Sequence, residues 1–378
     1  MRMLQVCAVD FTAYHLLGPL LRASRRDGWD VEFASADGPF AAILKEEGFR
    51  HRPVAMSRAA SPTRHLRAIV ALAASLRRDP PDLVHTHTPV GGLVGRAASM
   101  VAWRGPLVHT FHGLPFQGEP RTPSERAFLI GERIVARRTT RFLSQAAGDV
   151  DRAVALRIAR RDDTVVIGNG VDVERFAPDR AVRESVRAEL GIPSQAIVAL
   201  TVARLVREKG LLELAAAASQ IEPDPLLYFL IVGAALTSER TSVEGELDVH
   251  PVVARLGEHW RRLGHRDDVD RLLQAADLFV LPTYREGLPR SIIEAMAVGL
   301  PVVASDIPAC RELVGPGTTG LLVPPRDVPA LTEALRRLAS APEVRAEYGA
   351  NARARALAHH DERQVLGLQL RIFRQLVR

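Results

Sequence analysis

Short apolar runs alternate with helix-patterned stretches along nearly the whole chain, and the alternation restarts once, just after the turn-rich segment IGNGVD (Ile167–Asp172). A parallel strand covered by helices on both faces has no polar side to show. Apolar runs spaced by amphipathic stretches are therefore the pattern of parallel sheets with crossover helices. In the first half, strands are expected to begin at Leu4, Val31, Leu83, Leu107, Phe142 and Val165, with helices such as Leu16–Arg26, Arg64–Arg78 and Ser124–Arg138 between them. In the second, strands are expected at Ile197–Arg204, Leu227–Val232, Leu278–Pro282, Pro301–Ser305 and Leu321–Val323. The final amphipathic stretch, Asp361–Val377, has no strand after it and is expected to pack back onto the first unit. The organisation predicted is α/β: two doubly wound domains, 1–168 and 169–358, and a closing helical segment over 359–378, with ligands taken up in the cleft between the domains.

The chain has 378 residues, more than one hydrophobic core organises. Its 47% hydrophobic and 25% charged content excludes a disordered or fibrous protein. The two cysteines, Cys7 and Cys310, lie far apart and outside any metal-ligand spacing, which fits a reducing compartment. The apolar run from Leu4 is too short for a signal segment, and no stretch reaches the roughly 18 apolar residues of a membrane span, so a cytoplasmic protein is expected. The net charge of +6 is uneven. Residues 1–165 carry 24 Lys and Arg against 16 Asp and Glu, which suits an anionic partner such as lipid headgroups or a pyrophosphate, or is simply an Arg-rich surface. No zinc spacing or RNA-binding aromatic signature points to nucleic acid.

The segment LFVLPTYREGLPRSIIEAMAVGLPVVAS (Leu278–Ser305) carries most of the chemistry. It reads as a strand, a polar loop, a helix opening at Pro289, Gly299 as the stop, and a second strand. The amides of Arg290 and Ser291 then leave a helix amino terminus at the end of a strand, where unpaired N–H groups and the helix dipole favour phosphate. Glu286 precedes that helix and Glu294 lies one turn inside it, so the two carboxylates flank the anion site and suit hydroxyl-rich groups such as a ribose and a hexose. Alone, two glutamates at this spacing are common on surfaces. In VARLVREKG (Val202–Gly210), Arg204 and Lys209 follow the first strand of the second unit, placed to steady the charge of a leaving diphosphate. The alternative is a surface turn ended by Gly210.

Together the E-x7-E pair (Glu286, Glu294), the R-x4-K pair (Arg204, Lys209), the NGVD turn and the GHRDDV segment (Gly264–Val269) resemble family 4 of the GT-B glycosyltransferases, over nearly the whole chain. LVHTHTPVGGLVGR (Leu83–Arg96) and LVHTFHGLPF (Leu107–Phe116) are similar to the subgroup that extends polyprenyl-diphosphate-linked glycans in bacteria. The resemblance implies two Rossmann-like domains facing each other across a cleft, and retaining, metal-independent transfer of a hexose or N-acetylhexosamine from a nucleotide sugar, UDP-linked by analogy. The acceptor implied is a polyprenyl-diphosphate-linked sugar, with peripheral contact to an anionic membrane. The second domain would hold the donor: Glu294 on the ribose, Glu286 on the sugar, Arg204 and Lys209 on the diphosphate, the backbone near Arg266 on the base, and Gly287, Leu288, Arg290 and Ser291 around it. His112 would touch the donor sugar, although by itself it reads as a packed strand-end histidine, as His85 and His87 do. Phe11, Thr12, Ser57 and Arg58 would line the acceptor side.

The sequence departs from the family's pattern in the loop DFTAYH, which lacks the glycine-rich form, at Ala234 and Ala235, and at Cys310. The Asp-Val-Asp tripeptides at Asp149–Asp151 and Asp268–Asp270 would suggest a metal-dependent transferase of another fold, but both open helical patterns and read as helix starts. A nicotinamide-dependent oxidoreductase is excluded by the absence of G-x-G-x-x-G after the first strand. A sugar-nucleotide epimerase, a non-catalytic sugar-nucleotide-binding protein and a transferase acting on a soluble acceptor are the remaining alternatives.

Overall fold

The computed structural model describes residues 1–57, 61–114, 120, 122–221, 227–235 and 241–377. The chain forms two compact units, Met1–Gly168 with Val365–Arg378, and Asn169–Gln364.

The first unit is built on β1 (Arg2–Val6), β2 (Asp30–Ser35), β3 (Arg50–Pro53), β4 (Leu83–His87), β5 (Leu107–Phe111), β6 (Arg141–Ser144) and β7 (Thr164–Val166), in the order β3-β2-β1-β4-β5-β6-β7. The second uses β8 (Ile197–Val202), β9 (Leu227–Val232), β10 (Trp260–Gly264), β11 (Leu278–Leu281), β12 (Val302–Ser305) and β13 (Gly320–Val323), in the order β10-β9-β8-β11-β12-β13. Every pairing between these strands is parallel. The winding reverses between β1 and β4 in the first sheet and between β8 and β11 in the second, which makes both units doubly wound.

Alternation along the strands divides the first core in two. Met3, Phe33, Val108 and Leu143 pack on one face with Leu21 and Leu44. Leu4, Val6, Val84 and Leu107 pack on the other with Leu72, Leu76 and Val94. The closing helix, Glu362–Leu376, belongs to the first unit from Val365 onward and seals the first of these faces with Ile372 and Phe373. Burying each of those side chains contributes roughly 2 kcal/mol. The helix Pro89–Ala102 approaches so closely that a Cβ at Gly91 would sit 2.7 Å from Cys7 Cα, which only glycine avoids.

Three sequence expectations change. β3 (RHRP) and β10 (WRRLG) have no apolar run to betray them: each is the last strand at one edge of its sheet, with part of its surface open to solvent. The helix expected over Leu16–Arg26 begins at Gly18, with Pro19 in its first turn, and the stretch DFTAYH, expected as a loop, is a short helix of its own, Asp10–His15. β8 ends at Val202, which puts Arg204 on the loop beyond it.

Candidate functional site

Ligands in doubly wound sheets collect outside the carboxyl ends of the strands where the winding reverses. In the second unit two loops meet there, 203–210 after β8 and 282–289 after β11. Gly210 has φ 68°, and a Cβ there would fall on the Pro282 carbonyl oxygen, so the loops touch backbone to backbone. The Glu208 carbonyl accepts from the Tyr284 amide at 2.8 Å and from Thr283 Oγ1 at 3.1 Å, lacing the loops a second time.

This lacing brings Lys209 to Glu286: Nζ donates to Oε1 at 2.6 Å, and the two side chains are 12% and 13% exposed. Arg204 is more open, with its guanidinium 3.3 Å from Glu208 Oε1. The Cys310 thiol lies within the field of Glu286 and Lys209, and burial pushes its pKa well above the usual thiol range, so it stays protonated.

The helix beside the pair is Arg290–Val298, one residue shorter than expected, because Pro289 serves as its N-cap. Proline offers no side-chain acceptor, and the first turn closes with the amides of Ile292 and Ile293 on the Pro289 carbonyl, at 3.2 and 3.4 Å. The Arg290 and Ser291 amides precede those bonds, as an anion site requires. Arg290 folds back so that Nε donates to Glu294 Oε1 at 3.0 Å, and its far end reaches Glu362 at 3.8 Å. Burial raises the Glu294 pKa, against the pull of Arg290 and Arg175. Thus each of the two glutamates has its own cation.

Leu288 is buried, and its carbonyl accepts from Asn169 Nδ2 at 3.2 Å; Gly287 is half-buried beside it. The NGVD turn is held in turn by bonds of Val171 N to His360 O and of Glu362 N to Val171 O, each 2.9 Å. Arg266 follows β10 and grips Asp268 with two hydrogen bonds of 2.7 Å. Its side chain is committed there, which leaves the loop backbone for a ligand. Asp149 and Asp270 lie in first helical turns and Asp268 is an N-cap, the helix-start positions the sequence indicates.

In the first unit His112 directly follows β5. His112 Nε2 lies 3.0 Å from His87 Nδ1, and His87 Nε2 lies 2.7 Å from Gln5 Oε1. His85 Nε2 lies 2.7 Å from Thr110 Oγ1, and His109 Nδ1 2.9 Å from Thr86 Oγ1. Burial lowers all four histidine pKa values, to about 4 for His112 and well below the ordinary range for the rest, so the cluster is neutral at pH 7. Thr88, Phe111, Leu114, Phe128 and Glu132 border a small pocket at His112. Of the acceptor-side candidates, Phe11 is exposed, its ring tilted against His15 and edge-on to Phe40, whereas Thr12 is buried in the same short helix. The Ser57 carbonyl lies 3.1 Å from His65 Nε2, and Arg58 lies outside the described residues.

A family model described as a glycosyl transferase 4-like domain matches residues 17–170, and one described as glycosyl transferases group 1 matches 182–355. The chain is 30% identical to the UDP-Gal:alpha-D-GlcNAc-diphosphoundecaprenol alpha-1,3-galactosyltransferase of Escherichia coli, over 72% of this chain and 70% of that enzyme. The chain is a family 4 glycosyltransferase of GT-B type. It is also 32% identical to the alpha-maltose-1-phosphate synthase of Mycolicibacterium smegmatis, over 78% of this chain and 79% of that one. In fold it is similar to Anabaena HepE, crystallised with UDP-glucose, at a TM-score of 0.83 and 23% identity over the full length of both chains.

Several residues around these candidates escape sequence reasoning: Glu208, Thr283 and Tyr284, which lace the loops of the second unit, and, in the first unit, Gln5, which holds His87. No local signal marks them, since each acts on a partner distant in sequence. Among the described residues no helix is long and apolar enough to cross a membrane.

Proposed function

We propose that this glycosyltransferase moves a hexose or N-acetylhexosamine from a UDP-sugar to a hydroxyl of a polyprenyl-diphosphate-linked acceptor, with retention of configuration and without a metal. The observation that carries the donor assignment is the Lys209–Glu286 pair at the reversal of the second sheet, next to the open amino terminus of the helix Arg290–Val298. An ammonium and a row of amides suit a diphosphate, and a carboxylate suits sugar hydroxyls. The name of the E. coli relative and the UDP-glucose held by HepE support UDP as the carrier.

In this reading the acceptor oxygen attacks the anomeric carbon from the face that the diphosphate leaves. The carbon–oxygen bond to phosphate breaks as the new glycosidic bond forms, and the hydroxyl proton passes to the departing phosphate oxygen. Lys209, Arg204 and the helix amides stabilise the charge that develops there. Glu286 orients the sugar, Glu294 binds the ribose, and His112 accepts a hydrogen bond from a substrate hydroxyl.

The polyprenyl acceptor and a place on the cytoplasmic membrane face draw support from the helix Pro62–Arg78. It has no acidic residue, carries Arg64, Arg67, Arg77 and Arg78, and exposes Leu66 (63%) and Val70 (61%). Val101, 60% exposed, extends this surface, since Arg77 donates to its carbonyl. Each arginine near an anionic headgroup layer contributes about 1 kcal/mol. A soluble acceptor is the second reading, favoured by the resemblance to a synthase of a small sugar phosphate.

Thermal stabilisation by a panel of UDP-, GDP- and ADP-sugars tests the donor, since a ligand of the native state raises its apparent stability. A shift with GDP- or ADP-sugars alone would overturn the UDP assignment. Product anomer, turnover in chelator, and release of UDP with lipid-linked against soluble acceptors test the rest; donor converted to an epimer without transfer would reveal an epimerase. Cosedimentation with anionic but not neutral vesicles is expected, weakened by salt and by L66S/V70S.

A further inference from the structure

The histidine cluster has a direction. Period-two alternation puts Met3 and Gln5 on one face of β1, and the pairing of β1 with β4 sets Gln5 opposite His85 and beside His87. Gln5 Nε2 is 2.9 Å from Met3 Sδ, a group that only accepts, so the amide NH2 belongs on that side and Oε1 faces His87. An amide oxygen only accepts too, so His87 Nε2 must carry the hydrogen across the 2.7 Å contact. Buried and neutral, His87 then has a bare Nδ1, and the 3.0 Å contact to His112 Nε2 closes only if His112 carries its hydrogen on Nε2. The remaining nitrogen, His112 Nδ1, is buried with no hydrogen-bond partner among the described residues. The Gln145 side chain is a hydrogen-bond partner of the same ring and draws its pKa upward against burial, while Nδ1 itself meets no partner at hydrogen-bond geometry among the described residues.

We propose that Gln5 and His87 are positioning residues that fix His112 in the Nε2–H tautomer, so that Nδ1 meets a substrate hydroxyl as an acceptor and never as a donor. The link to the reaction rests on the assignment of His112 to the substrates; the tautomer does not. A ring held this way orients a hydroxyl and cannot protonate a leaving group, which agrees with charge stabilisation falling to the second unit.

The test is two-bond 15N–1H correlation on the full chain with 15N-labelled histidine, which tells the two tautomers and the cation apart. In the wild type His112 is expected as Nε2–H throughout pH 6–8. Gln5→Leu removes the acceptor; both tautomers should appear at His112 and turnover should fall about 2- to 10-fold, the worth of one neutral hydrogen bond. Should Gln5→Leu fail to fold, the wild-type spectrum still decides. An Nδ1–H or cationic His112 in the wild type overturns the proposal, as does an unchanged spectrum in folded Gln5→Leu. The expected tautomer together with full turnover in His112→Ala overturns the substrate role alone.

Discussion

The carboxyl ends of the two sheets, each at the reversal of its winding, handle charge in opposite ways. In the second unit Lys209 and Glu286 are largely buried and face each other at 2.6 Å, and Arg290 is bonded to Glu294 at 3.0 Å. In the first, His85, His87, His109 and His112 are packed into strand ends, and their hydrogen-bond partners are neutral: Gln5, Thr86, Thr110, Gln145 and one another. A buried group keeps its charge when an opposite charge comes with it and gives it up otherwise. On the proposed function, the second unit meets a charged ligand and the first orients a neutral one.

The strongest way to break that contrast is to remove the cations. Arg204→Ala and Lys209→Ala should each lower turnover about 100- to 1,000-fold, as loss of an oxyanion-type donor does; near-normal rates in both, measured with saturating donor, would remove the second unit from the chemistry. His112→Ala should cost less, about 10-fold, as one orienting hydrogen bond does.

Acid separates the units next. The folded histidines of the first unit have pKa values below the unfolded value near 6.5, so between those values the unfolded chain binds more protons. Their contribution is complete above about pH 6.5 and is lost as pH falls toward the folded values, about 4 for His112, with a slope of about 1.4 kcal/mol per pH unit for each histidine kept neutral. Denaturant melts from pH 7 to 5 should show that loss, and it should shrink when His87 and His112 are replaced by Gln and Asn.

A smaller effect sharpens the geometry of the charged site. Gly210→Ala places a Cβ on the Pro282 carbonyl at a positive φ, which should destabilise the protein by about 1 kcal/mol or more and reduce turnover by parting the loops. Loss of stability without loss of turnover would mean that the lacing does not set the Lys209–Glu286 contact. The smallest effect is expected of Glu294→Gln: donor affinity should drop several-fold, with melting temperature unchanged or slightly raised, because burial already disfavours that carboxylate. Isothermal titration with UDP would detect it.

Legibility in the sequence followed the apolar content of the strands. β8, β9, β11 and β12, covered on both faces, announce themselves as apolar runs, as do the edge strands β7 and β13; β3 and β10, edges rich in arginine, do not. The helix at Arg290 was readable from Pro289 and Gly299, since proline and glycine act on the backbone locally. Arg204, Lys209, Glu286 and Glu294 were readable as residue types in a spacing. Their partners were not: the spacing shows neither that Glu286 takes Lys209 nor that Glu294 takes Arg290.

What the sequence determined by itself is the two-fold α/β alternation and the polar residues standing at strand ends, because apolar periodicity and turn chemistry are properties of neighbouring residues. Only the tertiary structure decided which polar groups meet. Lys209 and Glu286 are 77 residues apart, Gln5 and His87 82, Asn169 and Leu288 119. Such pairs form because strand order sets distant strand ends side by side, and a group taken from water there must find its partner in whatever the fold has brought within about 3 Å.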